Sequence, residues 1–284
     1  MSMLTALDEL EKRYWHDVWR TAVADAVADQ RIDLARFGPV QALIVPGEPT
    51  EPSLNLVLGA AEPGAVEKGH LEDALAWATV HGVDYRVPVT PGRPEARQAE
   101  HWLNESGHEQ GASRAMLIRD VSAPVPPAGR GVEALALDRS SVDEGFADAF
   151  AEGFGMPFWA STFFFELPGT EDWRCYTAAR GDVPLAYAAM LTYGGVAALT
   201  LAQPTPCEGV ADGHTTLLAR CVEDAAAAGC RAIVAEIEQP RPGRAPSLVR
   251  ESLLTAGFEQ AFVRADWRPP RHAVARRNLR QRWL

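Results

Sequence analysis

The sequence predicts an α/β protein made of two tandem domains, each a mixed, mostly antiparallel sheet flanked by helices. In both halves, short apolar strand patterns alternate with amphipathic helices. Similar segments recur in the same order in the two halves, 144 to 150 residues apart. A proline-rich segment separates the two sets. A repeat of this length implies two copies of a whole domain, not a solenoid.

The repeat consists of three pairs of short motifs, which open a helix, end that helix and begin the last strand of each half. They are Val66, Gly69 and His70 with Val210, Gly213 and His214, then Gly82 with Gly229, then Ser106-Gly107-His108-Glu109-Gln110 with Ala256-Gly257-Phe258-Glu259-Gln260. The offsets of 144, 147 and 150 residues grow by three at each step, as small loop insertions would produce.

The first half begins with a predicted helical stretch over residues 4–36, broken near 30–31. Tyr14, Trp15, Val18 and Trp19 recur there at helical spacing and are expected to face the core. The later elements are, in order, strands 40–45 and 54–59, helix 71–80, strand 83–89, helix 94–105 and strand 112–120.

Residues 122–131 read SAPVPPAGRG, with three prolines and two glycines. Proline lacks a backbone donor and fixes φ, so this run cannot continue a helix or join a ladder. We therefore predict an N-terminal domain at 1–121, a linker at 122–131, a C-terminal domain at 132–267 and a basic tail at 268–284.

The second half has clearer signals for turns and helix ends. Arg180-Gly181-Asp182 is a turn composition between two strand patterns, and Gly229 suits a left-handed helix end. The predicted elements are, in order, strand 132–137, a helix capped at Ser140 or Ser141 and ending at 154, an aromatic segment 156–165, strands 173–179, 185–192 and 196–202, helix 213–228, strand 231–238, helix 247–255 and strand 258–267.

Residues 132–267 resemble the GNAT acyltransferase superfamily. Ala-Tyr-Ala-Ala-Met-Leu at 186–191, followed by Val-Ala-Ala-Leu-Thr-Leu at 196–201, is similar to the family's central hairpin, and Ala256-Gly257-Phe258-Glu259 to its closing element. The first half is similar to a more eroded copy, as in tandem members. The resemblance implies a C-terminal acyl-CoA-dependent N-acyltransferase that uses acetyl-CoA or another acyl-CoA and a small-molecule amine, with the N-terminal domain as a structural partner.

The family binds the pyrophosphate of acyl-CoA through an Arg/Gln-x-x-Gly-x-Gly/Ala loop before a helix. Here Gly209 stands at the Arg position, Asp212 at the middle Gly and His214 at the last Gly/Ala, and sliding the frame by one repairs only Gly213. Asp212 would repel a pyrophosphate by about 1 kcal/mol or more. The residues that the resemblance assigns to the cofactor are Gln203, Thr205, Gly209, Val210, Ala211, Asp212, Gly213, His214 and Thr215.

Other interpretations of this loop remain open. Asp212 can simply cap the following helix, while acyl-CoA can still bind through amides and the helix dipole. Glu208, Asp212 and His214 match no common metal spacing, so no metal is expected. Cys207 lacks a second histidine that would activate it as a nucleophile.

Acyl transfer needs a base for the amine proton. The best candidates are Glu236 and Glu238, which share a face at the end of a strand, where burial would raise a carboxylate pKa. Pairing with Arg231, Arg241 or Arg244 is the structural alternative. The family's tyrosine acid falls at Leu253, so the usual proton donor to the thiolate is missing.

The aromatic segment lines the acceptor site in this family. Phe158, Trp159 and Phe165 with Glu166 could form an apolar pocket with one anionic anchor for an amine. The alternative is that these rings pack between the two halves.

The composition and charge limit the partners and the location that we expect. A net charge of −11 argues against a broad nucleic-acid surface, and we expect no membrane span, no signal peptide and a cytoplasmic location. The Arg-rich tail keeps one alternative open, an aminoacyl-tRNA-dependent transferase resembling the Fem group. A non-catalytic GNAT-like binding protein is the other alternative.

Overall fold

A computed structural model describes residues 3–22, 24–142, 144–204, 208–239 and 245–270. The chain divides into two compact units. Of the described residues, the first contains those within 3–19, 24–114 and 263–270, and the second contains those within 20–22 and 115–262. Each unit is thus one sequence half plus the end of a strand from the other half. In the described part of the chain, no helix is long and apolar enough to cross a membrane.

The second unit holds a mixed sheet whose strands lie in the order β11 (Glu259–Arg268), β5 (Glu109–Asp120), β10 (Ala232–Glu238), β9 (Val196–Ala202), β8 (Val183–Tyr193), β7 (Trp173–Arg180) and β6 (Glu133–Leu137). Neighbours are antiparallel from β6 to β9, whereas β9 and β10 are parallel. Its elements are β6 (Glu133–Leu137), α5 (Glu144–Gly153), a 3-10 helix (Phe158–Phe163), β7 (Trp173–Arg180), β8 (Val183–Tyr193), β9 (Val196–Ala202), α6 (Val210–Ala227), β10 (Ala232–Glu238), α7 (Leu248–Thr255) and β11 (Glu259–Arg268).

The core of the second unit lies between this sheet and the pair α6 and α7. Leu217, Leu218 and Cys221 of α6 and Leu253 of α7 are buried against the sheet. Ile233 and Ala235 of β10 belong to the same cluster. Because side chains alternate along a strand, Glu236 and Glu238 lie on the opposite face of β10.

The first unit contains a three-stranded antiparallel sheet and a group of strands in the order β4-β11-β5. Its core packs α3 and α4 against these strands. Its elements are α1 (Met3–Arg20), α2 (Ala24–Gln30), β1 (Asp33–Phe37), β2 (Val40–Ile44), β3 (Leu56–Leu58), α3 (His70–His81), β4 (Val87–Pro88), α4 (Pro94–Glu105) and β5 (Glu109–Asp120).

The closing strands have the same place in both units. In the first unit β11 lies between β4 and β5, and in the second unit β5 lies between β10 and β11. The turns that precede them also agree, since Gly107 and Gly257 have φ values of 79° and 84°. The next residues, His108 and Phe258, each donate a backbone hydrogen bond to a carbonyl five residues back. This correspondence fits the duplication inferred from the sequence.

Two local predictions were wrong. Residues 33–37 form β1 instead of continuing a helix, because Gly38-Pro39 turns the chain so that Phe37 faces Val40 across the hairpin. The helix predicted at 213–228 is α6, which begins at Val210 with Gly209 at its N-cap, so Asp212 lies in its first turn and does not cap it. Helix α3 begins at His70 with Gly69 at its N-cap. The motif Val66, Gly69 and His70 therefore precedes and opens α3, while its counterpart forms the first turn and a half of α6.

Candidate functional site

An opening forms at the carboxyl ends of β9 and β10. The two strands pair over Val196–Ala198 and Ala232–Val234, and then continue to Ala202 and Glu238 without further mutual pairing in the described residues. Parallel strands that stop pairing leave their next backbone groups available to a third partner. This is the place in the second unit where an extended ligand could lie between two strands.

Unpartnered polar atoms stand at the end of both strands. Gln203 directly follows β9, and Gln239 directly follows β10. In the described structure, the Oε1 atom of each is buried and lacks a hydrogen-bond partner. Buried acceptors are normally satisfied, so these two point to a missing donor at the opening. Of the two, only Gln203 was predicted from the sequence.

The start of α6 lies at the same end of the sheet. Gly209 is the N-cap with a φ of 93°, a conformation that favours glycine, and its carbonyl accepts the first helical bond from Gly213. The amides of Val210, Ala211 and Asp212 therefore have no acceptor within α6. Such a turn attracts anions through its amides and its dipole.

An arginine from another element lies over this turn. Arg180, the last residue of β7, donates a 2.9 Å hydrogen bond to Asp212, and both side chains are close to half exposed. A Cβ atom built on Gly209 would lie 3.2 Å from Nη1 of Arg180. The motif loop lacks its arginine, yet a guanidinium is present beside it. Sequence reasoning missed Arg180 because it appeared there only as a turn residue.

The linker packs on the side of the same turn. Gly129 donates a hydrogen bond of 3.0 Å to Thr216 Oγ1, which in turn donates to the Asp212 carbonyl. A Cβ atom built on Gly129 would lie only 2.3 Å from that carbonyl oxygen. The segment 122–131 thus contributes to the surroundings of α6 and does more than connect two domains.

His214 is fully buried in the second turn of α6. Its Nδ1 lies 3.1 Å from Oγ of Ser252 on α7, and its Nε2 has no partner in the described structure. Burial lowers the pKa of His214 to about 4. The ring is therefore neutral at pH 7. Thr215 bonds back to the Ala211 carbonyl within the helix.

The two candidate bases differ in exposure. Glu236 is half-buried on β10, two residues beyond the last pairing with β9, and Glu238 is exposed at the end of the strand. Leu253, at the position of the family's tyrosine, is 1% exposed and belongs to the hydrophobic core. The structure thus places Glu236 near the opening and gives position 253 a packing role.

The predicted acceptor residues are only partly brought together. Phe158 is 79% exposed, Trp159 packs with Phe163 at a centroid distance of 5.6 Å, and Phe165 is half-buried. Phe163 and Phe164, which were not assigned to the site, are fully buried in the core. Glu166 lies 3.3 Å from Nε of Arg139 in an exposed ion pair.

Some residues that the sequence analysis considered for the site lie outside the described ranges. They are Thr205, Cys207, Arg241, Arg244 and the tail from 271 onward. Within those ranges, no group of three or more His, Cys, Asp or Glu side chains is arranged to hold a metal ion. Asp212 and His214, two of the residues weighed as metal ligands, bond instead to Arg180 and Ser252.

The corresponding loop of the first unit contains a buried ion pair. Glu62 lies in the segment between β3 and α3, where Lys12 of α1 pairs with it at 2.5 Å. Both residues are buried, and burial raises the pKa of Glu62 although Lys12 opposes the shift. A carboxylate at this place opposes a pyrophosphate.

Comparison with solved structures identifies the fold. A GCN5-related N-acetyltransferase from Kribbella flavida aligns with a TM-score of 0.61 and 16% identity, covering 97% of this chain and 99% of that one. A tandem GNAT protein from the clavulanic acid biosynthesis pathway gives 0.56 and 16%, covering 81% and 78%. A GCN5-related N-acetyltransferase from Sphaerobacter thermophilus gives 0.54 and 13%, covering 81% and 76%. No family model and no curated protein matches the sequence. The chain has the fold of the GCN5-related N-acetyltransferases, in its tandem form.

Proposed function

We propose that the second unit is an acyl-CoA-dependent N-acyltransferase that uses acetyl-CoA or another acyl-CoA and a small-molecule amine. The observation that carries the proposal is the opening between β9 and β10, where pairing stops at Ala198 and Val234. The fold supports acyl transfer as the reaction class. The identity of the acyl donor rests on the residues around this opening.

These residues fit acyl-CoA in two respects. The buried acceptors of Gln203 and Gln239 suit the amide N–H groups of a pantetheine arm. The free amides of α6 and the guanidinium of Arg180 suit a pyrophosphate, with Asp212 as the opposing charge. The fit therefore uses Arg180 in place of the arginine that the loop lacks.

When bound, acyl-CoA supplies an acyl group activated as a thioester. Glu236 would accept the proton that the attacking amine loses, since it is a half-buried carboxylate near the opening. The α6 turn and the two glutamines would fix the donor in place, which lowers the entropic barrier of a two-substrate reaction. Glu238 is the second candidate base.

The acceptor proposal rests on the segment that follows α5. Phe158 presents an exposed aromatic ring, and Glu166 presents a carboxylate whose partner Arg139 is also exposed. An exposed ion pair of this kind is weak, so an ammonium group could compete for Glu166. An amine with an apolar body is the acceptor class that these side chains favour.

Calorimetry of the full chain with acetyl-CoA and with CoA tests the proposal. We expect both to bind, and we expect Arg180→Gln to weaken both. Arg174→Gln is the matched control, because Arg174 also lies on β7 but contacts the Asp224 carbonyl. Release of CoA thiol in the presence of a panel of amines then tests turnover. Failure of the wild-type chain to bind either compound would overturn the proposal.

A non-catalytic binding protein is the second candidate, and one observation favours it. Leu253 fills the core at the position where the family places its acid. Binding of acetyl-CoA without turnover of any amine would support this candidate. The transferase resembling the Fem group depends on the tail, which lies outside the described residues.

A further inference from the structure

His214 and Ser252 connect the two helices that flank the opening in the second unit. His214 follows the first turn of α6, and Ser252 lies on α7 directly before Leu253. Their contact is 3.1 Å between Nδ1 and Oγ, and it joins residues 38 apart in the chain. Each atom of this pair has no other hydrogen-bond partner in the described structure.

The chemistry of the buried ring decides which atom donates. A neutral imidazole carries one N–H, either on Nδ1 or on Nε2. Since Nε2 is buried without a partner, a proton there would be an orphaned donor. Orphaned N–H donors are rarer in proteins than unfilled acceptors. The proton therefore belongs on Nδ1, which donates to Ser252 Oγ.

This assignment fixes the role of the serine. An oxygen that accepts a hydrogen bond from His214 keeps its own O–H for another acceptor. Ser252 is half-buried, so this O–H can reach a ligand, whereas the His214 ring is fully enclosed. Burial lowers the pKa of His214, so the ring keeps one proton at working pH.

We infer that Ser252, oriented as a hydrogen-bond donor by His214, stabilises the thiolate of CoA in place of the missing tyrosine. The inference rests on the proposed function. As the amine nitrogen bonds to the acyl carbon, the carbon–sulfur bond breaks and its electron pair stays on sulfur. Ser252 donates a hydrogen bond to that sulfur and keeps its proton, and water finally protonates the thiolate. Ser252 is a catalytic residue here, and His214 is a positioning residue.

The ionisation of the thiol of bound CoA tests this inference without an acceptor amine. In a complex of the full chain with CoA, thiolate absorbance is followed against pH for the wild type, Ser252→Ala and Ser252→Thr. We expect the wild type to lower the thiol pKa below that of free CoA. Ser252→Ala should reduce the thiol ionisation constant about tenfold, and Ser252→Thr should restore most of it. Thr255→Ala is the control, because it removes an exposed hydroxyl from the same helix.

Nitrogen NMR of the His214 ring provides the second measurement. We expect the proton on Nδ1 in the wild type and a shift of the Nδ1 resonance in Ser252→Ala. A proton on Nε2, or a bound thiol with the same pKa in the wild type and Ser252→Ala, would overturn the inference. If CoA binds in that case, the proposed function survives. Absence of CoA binding would instead remove the proposed function itself.

Discussion

The guanidinium of Arg180 lies 2.9 Å from the carboxylate of Asp212 and joins the end of β7 to the first turn of α6. The two residues are 32 apart in the sequence. Asp212 therefore does more than repel an incoming phosphate, since it also holds the guanidinium of Arg180. A ligand with a diphosphate would have to compete with Asp212 for Arg180.

This competition gives the first prediction. Asp212→Asn keeps the shape of the side chain and removes its charge, so Arg180 becomes available to the ligand. We expect CoA to bind about fivefold more tightly, since an exposed ion pair is worth up to about 1 kcal/mol. Asp212→Gly should act in the same direction, with an added cost to the helix. Calorimetry with CoA measures both variants.

The double variant Arg180→Gln/Asp212→Asn is the control for this prediction. Without the guanidinium, removing the carboxylate should improve binding less than it does in the wild-type background. Equal improvement in both backgrounds would show that Asp212 acts only through direct repulsion. Unchanged or weaker binding by Asp212→Asn would make Asp212 a simple helix-end residue.

The second prediction concerns the linker. In Gly129→Ala, the new methyl would lie 2.3 Å from the Asp212 carbonyl oxygen, so the linker must leave the helix and lose its bond to Thr216. We expect a loss of about 1–3 kcal/mol in the unfolding free energy of the second unit. Urea denaturation measures this loss. Trypsin should also cut faster after Arg130.

Gly131→Ala is the matched control for the linker. Its methyl would meet nothing within 4 Å, but its φ of 64° disfavours alanine by about 1 kcal/mol. It should therefore lower stability without speeding trypsin cleavage after Arg130. Equal trypsin cleavage in both variants would mean that the contact between Gly129 and α6 does not hold the linker.

Local sequence signals predicted the elements whose own residues carry the pattern. The turn Arg180-Gly181-Asp182 joins β7 and β8 as expected, and Arg180 pairs with Val183. Gly229 follows α6 with a φ of 76°, as a left-handed helix end requires. Strand β1 was missed because residues 33–37 are mostly exposed and lack a clear apolar alternation. Its partner β2, and not its own sequence, makes it a strand.

The site was harder to predict because it, too, depends on contacts between residues that are distant in the sequence. The predicted strand 196–202 matches β9, but the sequence placed the start of α6 at 213, three residues after its actual start at Val210. The contacts of Arg180 with Asp212 and of His214 with Ser252 join residues 32 and 38 apart. No local spacing encodes such a contact, because it depends on how the helices pack on the sheet. The assignments of Glu236, Glu238 and the acceptor segment remain predictions.

The third prediction concerns the base. Glu236→Gln keeps the shape and removes the proton acceptor, so acyl transfer should slow by roughly 10²-fold while CoA affinity stays nearly unchanged. Glu238→Gln is the comparison, and we expect a smaller effect because Glu238 is exposed. Rates of thiol release with a reactive amine measure both. A Glu236→Gln variant that folds less stably but turns over normally would assign Glu236 to the scaffold.

The fourth prediction uses the titration of His214. Its pKa is about 4 in the folded chain, below the ordinary value of 6.5, because burial disfavours the charged ring. Above pH 6.5 the ring is neutral in both states and adds no pH dependence. As the pH falls from 6.5 toward 4, the unfolded chain takes up a proton that the folded chain refuses. Stability should therefore fall in this window by up to about 1.4 kcal/mol per pH unit.

His214→Gln removes this titration, so its unfolding free energy should fall less steeply with pH than that of the wild type between pH 6.5 and 4. Urea denaturation at several pH values, fitted for the transition that includes the second unit, measures the two slopes. His101→Gln is the control, because His101 has a side chain that is 71% exposed. Parallel curves for the wild type and His214→Gln would mean that the His214 ring can be protonated inside the folded unit. Both ring nitrogens would then carry protons as the pH falls below 6.5, and Nδ1 would still donate to Ser252 Oγ.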